Sequence, residues 1–165
     1  MKALIVTGAM LGTIAAATVP AQAAGAQAEA QPVQCTAGRL KAQVGRIDPA
    51  AGNRFAPLVL TNVSGRSCWT RGFVGLIMID AHRDALTTRV RRDGPAGPRV
   101  VLAPGGRAVA RLHWGAVETG AETSCPAPSG LLVIPPDERA FLDIPFKADR
   151  VCDHGLIRVG PLKKG

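Results

Sequence analysis

Apolar and polar residues alternate with a period of two along much of the chain beyond Arg39, a pattern that predicts strands rather than helices. The central stretch runs from Phe55 to Asp80. Leu58 and Leu60 alternate with Val59 and Thr61, then Asn62, Ser64, Gly65, Arg66 and Ser67 supply turn chemistry before Cys68 opens a second run. A hairpin is expected here, with the rest of the fold organised around it. From Phe73 to Ile79 every residue is apolar or glycine. Exposing either face of that run costs about 25 cal/mol per Å² of apolar surface, so it is expected in the middle of a sheet. Its shortness, Gly72 and Gly75, and the β-branched Val74, Ile77 and Ile79 favour strand over buried helix.

Before this stretch, Arg39 to Ile47 reads as a half-buried strand, with Leu40, Ala42 and Val44 on one side and Lys41 and Gln43 on the other. Asp48-Pro49-Ala50-Ala51-Gly52-Asn53 is turn chemistry. After it, Ala85 to Arg92 has little apolar surface beyond Leu86 and Val90 and is expected as an edge strand, where Arg89, Arg91 and Arg92 discourage further pairing. Arg99 to Leu102 is a short strand, and Pro104-Gly105-Gly106 turns the chain into the clearest alternation of all. In Arg107 to Trp114, Ala108, Ala110, Leu112 and Trp114 form one face, and Arg107, Val109, Arg111 and His113 the other. Gly115 to Pro128 has the composition of a long loop. Further strands are expected at Leu131 to Ile134, Ala140 to Ile144 and Leu156 to Val159, ahead of a basic tail at Lys163-Lys164. About seven to nine short strands, regular turn signals and no helical periodicity predict an all-β chain of the β-sandwich class.

The first residues have another character. Lys2, the apolar run Ala3 to Val19 and the A-x-A pattern Ala21-Gln22-Ala23 predict a cleaved secretory signal peptide over residues 1–23. The run is diluted by Gly8, Gly12 and three threonines and falls short of a bilayer span. Residues 24–34 are rich in Ala and Gln and read as a flexible tether. A β-sandwich domain is expected over 35–165. No integral membrane span is expected after cleavage, and the protein is expected outside the cytoplasm, secreted or associated with the cell wall.

Export changes the meaning of Cys35, Cys68, Cys125 and Cys152, because disulfides persist outside the cytoplasm. Three pairings are possible. Sequential pairing, Cys35 with Cys68 and Cys125 with Cys152, is preferred; it closes two loops of roughly thirty residues, each stabilised by about 3 to 4 kcal/mol. A zinc site would need ligand pairs at short spacing, and there is no C-x-x-C. Trp69 follows Cys68 and points to the opposite face of a regular strand, where core packing is expected.

Candidate chemistry is sparse. His82, His113 and His154 would form a metal site only by converging in space, with Asp80, Asp84 or Asp153 completing the shell. No G-x-S-x-G surrounds Ser64, Ser67, Ser124 or Ser129, and Asp137, Glu138 and Asp143 are the carboxylates placed to pair as acid and base. Neither catalytic residues nor a cofactor are expected. Twenty Lys and Arg against twelve Asp and Glu give a net charge of +8, so anionic partners are electrostatically favoured. Arg89 and Arg91 share one side of their strand, and Arg107 and Arg111 one side of theirs. If both strands lie in one sheet, the four guanidiniums make a cationic surface for phosphate or carboxylate groups. Nucleic acid is not the expected partner of an exported protein with no Tyr, two Trp and four Phe for base stacking.

Several positions together resemble a family, the exported actinobacterial domain of unknown function 4232. They are Cys35 and Leu40; Leu58, Leu60, Asn62 and Ser64 running into Cys68, Gly72 and Gly75; Asp80; Leu102-Ala103-Pro104-Gly105-Gly106 with Ala110, Leu112 and Trp114; then Cys125, Val133, Pro135-Pro136, Cys152 and Val159. Where that family has Gly-aromatic-Pro-Gly, this chain has Gly72-Phe73-Val74-Gly75. The resemblance implies an immunoglobulin-like β-sandwich with two disulfides, outside the cytoplasm, and supplies no catalytic residues. The expected function is a secreted, non-enzymatic module binding an anionic cell-envelope polymer or an envelope protein. The alternatives are a protease inhibitor presenting Gly115 to Pro128 and a His-ligated metal-binding protein.

Overall fold

Thirteen strands follow one another in the computed structural model, which describes residues 31–165; the expected leader and residues 24–30 of the expected tether lie outside the described residues. In chain order they are β1 (Val33–Gln34), β2 (Leu40–Val44), β3 (Asp48–Ala50), β4 (Asn53–Asn62), β5 (Cys68–Thr70), β6 (Gly75–Ile79), β7 (Arg89–Arg92), β8 (Val100–Leu102), β9 (Arg107–Gly115), β10 (Gly130–Ile134), β11 (Leu142–Pro145), β12 (Leu156–Val159) and β13 (Lys163–Lys164). A 3-10 turn at Ala37–Arg39 leads into β2, and a short helical turn at Cys152–Gly155 leads into β12. The fold is all-β, as expected, and the strands beyond the expected number are short ones such as β1, β3 and β13. Two or three residues carry too little hydropathy pattern to be seen in the sequence.

The strands form three sheets. The largest runs β2-β4-β9-β12-β7, with β3 added beside β4 and β13 beside β9. The others run β11-β10-β6 and β1-β5-β8. All pairs are antiparallel except β12 with β7 and β1 with β5. One core cluster draws on all three sheets: Leu40, Leu58, Leu60, Leu112 and Trp114 from the large one, Leu76, Met78, Leu131 and Val133 from the second, Cys68 and Leu102 from the third. Ala108, Ala110, Leu112 and Trp114 are all at most 1 % exposed, so the alternation in β9 is the core-facing pattern it looks like. Trp114 meets Phe146 edge to face at 5.4 Å.

The expected hairpin from Phe55 to Asp80 does not form. β4 pairs with β2, β3 and β9, whereas the chain beyond Ser64 to Ser67 crosses to the other sheets, β5 pairing with β1 and β8 and β6 with β10. Nor is β6 in the middle of its sheet. It lies at one end of the order, next to β10; Leu76 and Met78 are buried but Ile77 is 36 % exposed. A continuous apolar run reports the total area to be covered, not which strand covers it. Turn chemistry at residues 48–53 resolves into β3 and a two-residue loop, Ala51-Gly52, both at positive φ as a tight hairpin requires. The Lys163-Lys164 tail is a strand, drawn into register opposite Val109 and Ala108.

Two disulfides tie these parts together, Cys35–Cys68 and Cys125–Cys152, the sequential pairing. The first fastens the start of the domain to β5. The second fastens the long loop after β9 to the turn before β12.

Candidate anion-binding face

Arg89 and Arg91 on β7 and Arg107 and Arg111 on β9 do lie in one sheet, with β12 between them. Directly paired residues share a face of a sheet. Arg158 stands opposite His113 on one side and Arg91 on the other, and Leu156 opposite Arg89. The outward row therefore reads Arg91, Arg158, His113 and, across to β4, Phe55. Thr61 carries the pattern from Arg107 to Lys41 on β2, and Lys163 joins it opposite Val109. Arg158, Lys41 and Lys163 are not among the four arginines that the sequence assigns to this face. The alternation Ile157-Arg158-Val159, with both neighbours fully buried, carries the signal for Arg158, but its position between the two arginine-bearing strands is a matter of topology.

Arg89 approaches Asp153 at 3.7 Å, with both side chains about half exposed, a geometry of little energetic weight. Among the described residues, Arg91, Arg107, Arg111 and Arg158 make no ion pair. Their charge is free for an external anion.

At the centre of the face, Phe55 is covered on both sides. The His113 ring stacks on it with centroids 4.5 Å apart, and the Arg111 guanidinium lies 4.3 Å from its centroid. His113 Nε2 donates to Asn53 Oδ1 at 2.8 Å, which leaves Nδ1 to take up a proton. Burial, then the positive charges of Arg158 and Arg111, hold the imidazole below its ordinary value, against a smaller opposing effect of Asp93. A cleft of about 230 Å³ opens beside it, lined by Asn53, His113, Thr119, Asp153 and Arg158.

The other candidates are dispersed or engaged. His82 lies in the turn after β6, where Asp80 Oδ1 accepts the backbone N–H groups of His82 and Asp84 at 2.8 and 2.9 Å. His154 lies in the turn before β12. The three histidines do not come together: among the described residues, the cluster close enough to share one ion is Glu122, Cys125 and Cys152, and two of those are the sulfurs of a disulfide. Asp143 pairs with Arg83 rather than with Asp137 or Glu138. Trp69 is only half-buried, with the Arg99 guanidinium 4.0 Å from its ring centroid. It turns away from Cys68 as expected, but the face it reaches is the outer one and not the core.

The loop Gly115 to Pro128 is pinned by more than its disulfide. Asp153 and His154 both adopt left-handed φ, 55° and 54°, so their N–H groups point the same way. Each donates at 2.9 Å to an oxygen of Glu122. The His154 N–H, with a smaller contribution from that of Asp153, holds the Glu122 carboxyl below its usual range against the effect of desolvation. No sequence motif marks this contact.

The domain is thus a two-disulfide, all-β unit with a cationic sheet face. A family model described as domain of unknown function (DUF4232) matches residues 35–163, and the chain belongs to that family. No protein of curated function and no solved structure matches the chain. No helix among the described residues is long and apolar enough to cross a membrane.

Proposed function

We propose that this is a secreted, non-catalytic domain that binds an anionic polymer of the cell envelope through the outer face of its largest sheet. The observation that carries the reading is the gathering of Arg91, Arg107, Arg111 and Arg158 on one face without ion-pair partners among the described residues. Guanidinium forks match phosphate and carboxylate oxygens, and a cluster of them raises the local concentration of polyanions. Two buried or half-buried disulfides agree with an oxidising compartment.

The test is co-sedimentation with isolated cell wall at low and at physiological salt. Binding is expected to fall as salt rises. Reversing Arg91, Arg107, Arg111 and Arg158 to Glu should abolish it, while reversing Arg66 and Arg139, exposed residues outside these strands, should leave most of it. Sedimentation that survives the fourfold reversal rejects the proposal.

A further inference from the structure

We propose that the row Arg91–Arg158–His113 is a seat for the phosphate groups of a linear polyphosphate or phosphodiester chain, and that occupancy is coupled to protonation of His113. This rests on the reading above and names the ligand class and its control. Arg91, Arg158 and His113 are register neighbours on β7, β12 and β9. Adjacent strands lie about 4.8 Å apart, so the row spans about 10 Å, a length over which one chain can set successive phosphates. Each phosphate of a polyphosphate chain carries a charge and two unbridged oxygens for a guanidinium fork, at closer spacing than the carboxylates of a sugar-acid polymer.

His113 is not an ordinary surface histidine. Stacking on Phe55 and the bond to Asn53 fix its ring, and the cleft beside it, about 230 Å³, has room for a phosphate group. The charged groups around it are Arg111 on its own strand, Arg158 on β12, Arg91 and then Asp93 at the end of β7, and Asp153, which is turned to Arg89, in the turn before β12. The β4 neighbours, Asn53 and Phe55, carry no charge. With burial first, and then Arg158 and Arg111, disfavouring the imidazolium, His113 is neutral near pH 7. A bound phosphate reverses that balance, so anion and proton bind together, each strengthening the other.

A membrane surface fits less well. Membrane-lying faces present apolar wedges beside their cations. Here the exposed large apolar residues Val33, Val63, Ile77, Val101, Val117 and Phe141 lie off the five strands of this face, Val90 on β7 pairs with the fully buried Ile157 and so belongs to the opposite side of the sheet, and Phe55 is covered by Arg111 and His113.

The test uses long-chain polyphosphate, polygalacturonate and anionic phospholipid vesicles against the domain over residues 24–165, at pH 7.5 and 5.5 and constant ionic strength. Polyphosphate should bind best and gain about tenfold in affinity at the lower pH, the size of one added charged hydrogen bond. His113→Gln should lose the gain on acidification, whereas His82→Gln and His154→Gln should keep it. The His113 imidazole resonance should titrate at higher pH when polyphosphate is present. Equal affinity at both pH values, a gain retained by His113→Gln, or tighter binding to polygalacturonate or vesicles overturns the inference. If polyphosphate fails to bind while wall sedimentation persists, the seat is wrong and the basic face stands; if both fail, both fall.

Discussion

The side-chain amide of Asn62, fully buried at the end of β4, donates to the carbonyl of Leu102 at the end of β8, forty positions further on, at 2.9 Å. The same nitrogen donates to the Arg66 carbonyl, while Oδ1 accepts the Ser64 N–H and hydroxyl at 3.0 and 2.7 Å. One side chain thus shapes the turn by which the chain leaves the large sheet and fixes that turn to the third sheet. Asn62→Ala should destabilise the domain by about 1–3 kcal/mol, since the buried Leu102 carbonyl loses its partner. Asn62→Asp should cost more, because it buries a charge and loses both donors. Urea denaturation midpoints measure both.

Gly155 immediately precedes β12, which pairs with β7 from Leu156 onward. Its φ is +73°, and an added Cβ would run into the carbonyl of Thr87. Gly155→Ala is expected to destabilise by at least about 2 kcal/mol through strain and overpacking. Gly38→Ala, with open space around the new methyl and no positive φ, should be near neutral in the same thermal melts.

The two disulfides should differ in ease of reduction. Cys35 and Cys68 are 2 % and 0 % exposed, whereas Cys125 is half-buried and borders a cleft beside Glu122 and His154. Mild reductant followed by alkylation and peptide mapping should label Cys125 and Cys152 first. Loss of either bridge removes a cross-link spanning 33 or 27 residues, about 3–4 kcal/mol in the chain-entropy account.

Acid should weaken the fold in two stages. The folded state holds His113 below its ordinary value, so an unfolded chain takes up that proton first, and stability falls as pH drops through about 6.5. Glu122 is also held below its ordinary range; its contribution is present above about 4.5 and is lost as pH falls further, through its folded value. Melting temperatures of His113→Gln should show a flatter profile between pH 7 and 5, and those of Glu122→Gln a flatter profile below pH 5.

Local pattern was enough for β2, β9, β10 and β12, where buried and exposed residues alternate cleanly, and for the edge position of β7. It misplaces the Phe55–Asp80 stretch because neighbours in sequence need not be neighbours in a sheet, and here a turn carries the chain between sheets. The basic face was visible in Arg89, Arg91, Arg107 and Arg111. Arg158, which joins the two halves, owes its place there to β12 lying between their strands. Glu122 left no trace in the sequence, since its partners are backbone groups whose direction depends on two left-handed residues.

The position of β12 also sets the order in which the molecule can be finished. β7 finds its ladder partner, and β9 its outer neighbour, only when Leu156 to Val159 arrive, and β13 follows later still. A nascent chain stopped at Cys152 would carry two unpaired borders open to other chains. Closure of this sheet therefore waits for Leu156 to Val159, a segment that follows both of its ladder partners in the chain.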